Sequence, residues 1–334
     1  MGLYLRHPLS LEHDTGAHPE NAQRIRAIEA RLEHDDWRGL EVVEARAATR
    51  EQLQRVHDPS HLDAIEAFCA AGGGMIDMDT VAGARSHDAA LRAAGAATGA
   101  VERLMSGEQR FAFCGLRPPG HHAERSRAMG FCLFNNIATG VAHAVAACGA
   151  ERAMIVDWDV HHGNGTQDVF YESAEVLFVS IHQSPLYPGT GEESETGAGP
   201  GLGHTVNLPV PPGAGADEFL SLVQTVVLPL GRQFAPDLLA ISAGYDAHRD
   251  DPLAQCLLDA TSYAEMAATL RDLAAELEIG VLVCLEGGYA IDALAESVSA
   301  TIAAFGDSTL VPRTASPDPA AGHRERLAER WALA

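Results

Sequence analysis

Histidines and carboxylates crowd into five short stretches of this chain. These are Arg117-Pro-Pro-Gly-His121-His122, Asp157-Trp-Asp159-Val-His161-His162-Gly-Asn164, Ser180-Ile-His182, Ser242-Ala-Gly-Tyr-Asp246-Ala-His248 and Glu286-Gly-Gly-Tyr289. Within them, Asp159 and His161 lie two residues apart. In extended backbone such residues project to the same side, so they can share one ion. Asp246 offers a third ligand. Two carboxylates and one imidazole leave positions open for water and substrate, as a catalytic zinc requires. A lone Asp-x-His would read as a capping or salt-bridged pair. Asp246 and the doubled histidines turn the reading toward a metal.

The adjacent His121 and His122 are preceded by Pro119 and Gly120. Histidine is the usual general base near neutral pH, and it needs a partner to fix its tautomer. Asp157 and Asn164 are the polar candidates. Alternatively, one histidine merely packs, or both are further ligands. Two imidazoles with different partners would be tuned apart, one neutral and one more cationic. Tyr289 follows two glycines, which would leave its ring room to swing. A phenol aimed at a carbonyl oxygen would stabilise an oxyanion.

The elements that must hold these residues are legible as apolar runs. Residues 111–116, 153–156, 176–181, 238–241 and 281–285 are short, rich in Val, Ile, Leu or Phe, and read as buried parallel strands. Helical patterns occupy 88–105, 137–147, 217–233 and 262–277, with two more expected at 20–32 and 51–70. The alternation predicts an α/β fold with a mainly parallel sheet. Ligands of such sheets bind beyond the carboxyl ends of the strands, where all five polar clusters fall. Residues 189–203 form a glycine-rich stretch without the Gly-Lys-Ser/Thr of a phosphate loop and read as irregular. The Pro-, Ser- and Asp-containing stretch 306–319 reads as a linker before a short helix near 320–333, which would cap the domain or meet another chain.

The chain has 334 residues, 46% of them hydrophobic, enough for a large core in one domain. The 46 acids against 23 bases give a net charge of −23. That balance disfavours a nucleic-acid partner and is ordinary for a solvated surface, though it would also attract basic peptides or polyamines. None of the six cysteines forms a Cys-x-x-Cys pair, and Cys114 and Cys284 lie in apolar runs, so buried thiols are expected. The start of the chain lacks a signal-peptide pattern and no run is long enough for a membrane span. A cytoplasmic protein with no membrane partner is expected, and a homo-oligomer is left open.

The motifs RPPGHHA (117–123), MGFCLFNN (129–136), DWDVHHGNGTQ (157–167), YPGTG (187–191), SAGYDAH (242–248) and LEGGY (285–289) resemble the zinc-dependent histone deacetylase superfamily. The likeness is to its class II and bacterial amidohydrolase members, and it runs over about half the chain in matching order. It implies a single-domain arginase-deacetylase fold over residues 1–306, an eight-stranded parallel sheet between helices, with 307–334 as linker and short helix. It implies one zinc on Asp159, His161 and Asp246. His122 would be the main base, paired with Asn164, and His121 its partner, paired with Asp157. Tyr289 would be the transition-state tyrosine. Phe131 and Tyr187 would wall an acyl-lysine tunnel, with Gly130, Leu253 and Gly288 beside the substrate and Arg24 on an internal product channel. Potassium would bind at Asp157, Asp159, His161, Ser180 and Ile181, and again near Phe170, Ser173 and Val176.

Two positions refine what the resemblance implies. Arginases of the same superfamily use two manganese ions held by extra aspartates; here those positions are Gly163 and His248, so one metal is expected. Polyamine-specific relatives carry a glutamate where this chain has Leu253. The expected activity is therefore removal of acetyl or other short acyl groups from acyl-lysine or related acyl-amines. The alternatives are an acetylpolyamine amidohydrolase and a non-catalytic acyl-lysine binder.

Overall fold

A computed structural model describes residues 2–333. Its main sheet has eight strands: β1 (Gly2–Arg6), β2 (Glu41–Glu44), β5 (Phe111–Cys114), β6 (Ala153–Asp157), β7 (Val176–Gln183), β8 (Thr205–Val210), β9 (Leu238–Ala243) and β10 (Gly280–Leu285). A separate hairpin pairs β3 (Gly73–Met75) with β4 (Val81–Gly83). The main-sheet order is β2-β1-β5-β10-β9-β6-β7-β8, and every pair is parallel. Helices cover both faces, as the resemblance implied.

The five strands read from apolar runs are the five contiguous central ones, β5, β10, β9, β6 and β7. Each is buried along its whole length, which is why its sequence is uniformly apolar. The strands that composition did not reveal lie toward the edges. β2 is the mostly exposed Glu-Val-Val-Glu, β8 carries Pro209, and β1 is five residues at the start of the chain.

Two expected helices need correction. The expected 51–70 helix is two, Arg50–Gln54 and Pro59–Ala70. Pro59 starts the second, and the residue before a proline avoids the helical region; Asp58 has φ −63° and ψ 142°. Thr49 and Gln52 close the start of the first with a capping box. The expected 217–233 helix runs from Ala216 to Phe234 but passes through a π-helical turn, Val223–Val227, just ahead of Pro229. The expected irregular stretch 189–203 is a loop containing one 3₁₀ turn, Gly199–Gly201. Near the end of the chain, helix Ala321–Leu327 buries Leu327, and Ala315 and Ala320 join it against the main core. Among the described residues no helix is long and apolar enough to cross a membrane.

The register puts the carboxyl ends level. Asp157, the last residue of β6, is paired with Ser180 on β7 and with Ser242 on β9, and Ser242 is paired with Cys284 on β10. The loops leaving β5, β6, β7, β9 and β10 therefore start side by side.

Candidate active site

Asp159, His161 and Asp246 offer ligand atoms that all lie within 4.8 Å of one another, and all three residues are buried. They do not converge by strand alternation, as the spacing suggested. β6 ends at Asp157, and the next residues bend. The bend is stitched by carboxylates to backbone amides. Asp157 Oδ1 accepts from the Asp159 N–H at 3.1 Å, Asp159 Oδ1 from the His161 N–H at 2.9 Å, and Asp246 Oδ1 from the Val160 N–H at 3.0 Å. Trp158, fully buried, anchors the bend in the core.

The electrostatics of this cluster favour a cation. Burial opposes charge on His161, yet Asp159 and Asp246 outweigh it and raise its pKa to about 10. Asp246 Oδ2 lies 3.2 Å from His161 Nδ1 but makes no hydrogen bond, leaving a buried carboxylate oxygen without a partner. Buried carboxylates that draw positive charge to one point, with an unsatisfied oxygen among them, fit a divalent ion. In the two-metal arginase pattern, one ligand of the second ion falls at position 163. A Cβ on Gly163 would come within 2.1 Å of Asp157 Oδ2 and has no room.

His121 and His122 lie side by side, ring centroids 3.9 Å apart, and each has its own partner. His121 Nδ1 is 3.0 Å from Asp157 Oδ2; His122 Nδ1 is 2.7 Å from Asn164 Oδ1. Burial opposes protonation of His121, but Asp159 and Asp157 raise its pKa to about 10. Burial, then the neighbouring His121 and His161, holds His122 well below the ordinary imidazole range. The two rings are thus tuned apart. A dication on Asp159, His161 and Asp246 would offset part of the carboxylate field at His121.

A cavity of about 210 Å³ opens onto these groups. Its wall includes Phe131, Tyr187, Leu253 and Gly130, with His121, His122, His161 and Tyr289 deeper in. Gly130 has φ +56°, and a Cβ there would come within 2.4 Å of the His122 ring, so only glycine lets this loop lie against the imidazole. Tyr289, half-buried, has its ring 5.8 Å from Phe131 and under the Arg24 guanidinium at 5.1 Å. Burial pushes its phenol pKa well up, so it remains a donor. Its backbone is held at that turn. Asp251 Oδ2 accepts from the Tyr289 N–H at 2.7 Å. Gly288 lies one residue away, and its carbonyl accepts from Arg24 Nε at 2.7 Å.

Several supporting residues were not legible as such. Glu286 was visible in a cluster, but its task was not: fully buried, its Oε2 accepts from the Gly120 and His121 N–H groups at 2.7 and 3.1 Å. Burial raises its pKa to about 7 against the pull of His121. Asp79, from the hairpin loop, joins the cavity wall, and Glu124 accepts from Asn164. Arg24 and Arg117 both pair with the fully buried Glu20 behind the site. Asp157 and Ser180 face each other across β6 and β7, with Ile181 next in β7, and Phe170, Ser173 and Val176 line one separate cavity.

A parallel α/β sheet whose strand ends deliver a buried Asp-His-Asp set, a tuned histidine pair and a tyrosine to one narrow cavity defines a hydrolytic enzyme with a candidate metal centre. A model of the histone deacetylase domain matches residues 18–305, and the chain belongs to that family. It is a hydrolase acting on amide bonds, and its family implies acyl-amine substrates. The chain is 36% identical to "Histone deacetylase 14, chloroplastic" of Arabidopsis thaliana over 92% of its own length and 78% of the relative's. It is 39% identical to a "Probable deacetylase" of Archaeoglobus fulgidus, covering 86% and 80%. Against the "Histone deacetylase-like amidohydrolase" of Pseudomonas aeruginosa identity is 38%, covering 81% and 72%. The crystal structure of the HDA15 HD domain superposes with a TM-score of 0.91 at 37% identity, covering 99% of this chain and 95% of that one.

Proposed function

We propose that the protein is a zinc-dependent deacylase that removes acetyl or other short acyl groups from acyl-lysine side chains or closely related acyl-amines. The observation that carries this is His122, paired with Asn164, beside a three-ligand cluster on a narrow, largely apolar cavity. Zinc held by Asp159, His161 and Asp246 would supply Lewis acidity toward the acyl carbonyl and its attacking water. His122 Nε2 takes the proton of that water. His121, held by Asp157, supports return of a proton to the leaving amine. The Tyr289 phenol donates to the carbonyl oxygen as it becomes an oxyanion. Phe131 and Tyr187 flank the aliphatic stem of the substrate, and the Gly130 carbonyl is the acceptor for its amide.

Leu253 supports acyl-lysine over a polyamine, because a leucine at that position offers no counter-charge to a second ammonium. Potassium is proposed at Asp157, Asp159, His161, Ser180 and Ile181, and at Phe170, Ser173 and Val176. The catalytic domain is proposed to span 1–306, with 307–334 as a linker and short helix. The acidic composition supports the absence of a nucleic-acid partner, and a cytoplasmic location is proposed.

The test is turnover of an acetyl-lysine peptide and of acetylspermidine by the zinc-loaded chain, beside Tyr289→Phe and His122→Ala. The expected loss in each variant is about 100-fold or more in kcat. Unchanged rates in both would sink the assignment. A large preference for acetylspermidine would move the substrate to polyamines, and hydroxamate binding without turnover would leave an acyl-lysine binder.

A further inference from the structure

We infer that Glu124 is a positioning residue for this reaction: its carboxylate sets the direction of the Asn164 amide and, through it, the tautomer of His122. This rests on His122 being the base. A neutral imidazole carries one proton, and a base facing the cavity needs it on Nδ1, leaving the lone pair on Nε2. The group against Nδ1 is an asparagine amide, which has a donor end and an acceptor end of nearly the same shape. Turned one way, Oδ1 accepts from Nδ1–H and the base is correct. Turned the other way, the NH₂ donates to Nδ1, the proton is driven to Nε2, and the base is lost.

The surroundings of Asn164 decide between the two. Its Nδ2 lies 2.8 Å from Glu124 Oε1, 3.4 Å from Met129 Sδ and 3.5 Å from the His122 carbonyl. All three are acceptors, and the carboxylate is the nearest and the strongest. Flipping the amide would set Oδ1 against that carboxylate. Glu124 is itself held in place: its N–H donates to the Arg127 carbonyl at 2.9 Å, and its carbonyl is 2.9 Å from His57 Nδ1. It does not line the substrate cavity. It borders a separate one of about 290 Å³, together with Asn164, Gln167 and Asp168. Changes at Glu124 should therefore act on kcat and leave KM nearly alone.

The experiment measures kcat and KM on an acetyl-lysine peptide for wild type, Glu124→Ala, Glu124→Lys, Asn164→Asp and the double variant Glu124→Lys/Asn164→Asp, with His122→Ala as control. Lysine only donates, so it takes Asn164 Oδ1 and turns NH₂ toward His122. The expected losses in kcat are about 30- to 100-fold for Glu124→Lys and about 3- to 10-fold for Glu124→Ala, each with KM within about twofold. The double variant should recover to within about fivefold of Asn164→Asp, because a carboxylate has acceptors for both the lysine and Nδ1. A merely structural role would not give that rescue. Wild-type kcat in Glu124→Lys, or a double variant as slow as Glu124→Lys, overturns the inference. Should Glu124→Lys not fold, by circular dichroism, an unchanged kcat in Glu124→Ala overturns it instead. Turnover that survives His122→Ala counts against His122 as base, a separate failure.

Discussion

Asp251 and Tyr289 are tied backbone to side chain: the Asp251 carboxylate accepts from the Tyr289 N–H at 2.7 Å. The same carboxylate accepts from Ala290 at 3.3 Å and from Leu253 at 3.0 Å, and it is 6% exposed. One buried side chain thus joins the loop after β9 to the loop after β10. Asp251→Ala should orphan three amides, cost about 1–3 kcal/mol in stability, and lower kcat on an acetyl-lysine peptide by roughly 10- to 100-fold through misplaced Tyr289. Wild-type kcat in a folded Asp251→Ala would refute this link.

Metal content should be one ion per chain. The three ligand atoms converge on one point, and Gly163 leaves no space for a further carboxylate. Removal of the metal by chelation should abolish turnover, and added zinc should restore it. Elemental analysis of the dialysed protein measures the ratio; two equivalents would contradict a mononuclear site.

Stability should fall in mild acid because His57 is buried neutral. The His57 ring has both nitrogens committed to backbone: Nδ1–H donates to the Glu124 carbonyl at 2.9 Å and Nε2 accepts from the Asn135 N–H at 2.8 Å. Burial, with His61 nearby, lowers its pKa to about 3, from 6.5 in the unfolded chain. Above pH 6.5 both states are neutral there. Between 6.5 and 3 only the unfolded chain takes the proton, so stability is lost as pH falls, by up to about 1.4 kcal/mol per unit. His57→Gln should flatten that slope by about one proton, read from denaturant midpoints between pH 8 and 5. An unaltered slope would rule out His57 as its source.

A chain ending at Gly306 should keep measurable turnover and lose stability. Ala315, Ala320 and Leu327 belong to the main core, and Arg326 donates to the carbonyls of Glu193 and Asn207 at 3.1 and 2.9 Å. Uncovering that surface should cost on the order of 2–4 kcal/mol, seen as a lower thermal midpoint. An inactive but folded truncation would assign the segment a part in the site.

The sequence by itself determined the central sheet and the cluster of candidate ligands. β5, β10, β9, β6 and β7 are buried on both faces, so their residues have to be apolar, and a polar residue at the end of such a strand stands out. Asp157, Asp159, His161, Asp246, His121 and His122 were visible for that reason. β2 was not, because that edge strand is mostly exposed and tolerates Glu41 and Glu44; β8, at the other edge, is largely buried, but Asn207 and Pro209 interrupt its apolar run. Only the tertiary structure decided how the site is held. Glu286 beneath Gly120, Asp251 beneath Tyr289 and Glu124 behind Asn164 are pairs separated by 166, 38 and 40 residues, and nothing local marks them. A carboxylate acquires such a task from the amide it meets in space, and that meeting is created by packing. The bend after Asp157 belongs with them, since hydrogen bonds from its amides to Asp157, Asp159 and the distant Asp246, rather than strand periodicity, turn Asp159 and His161 toward Asp246.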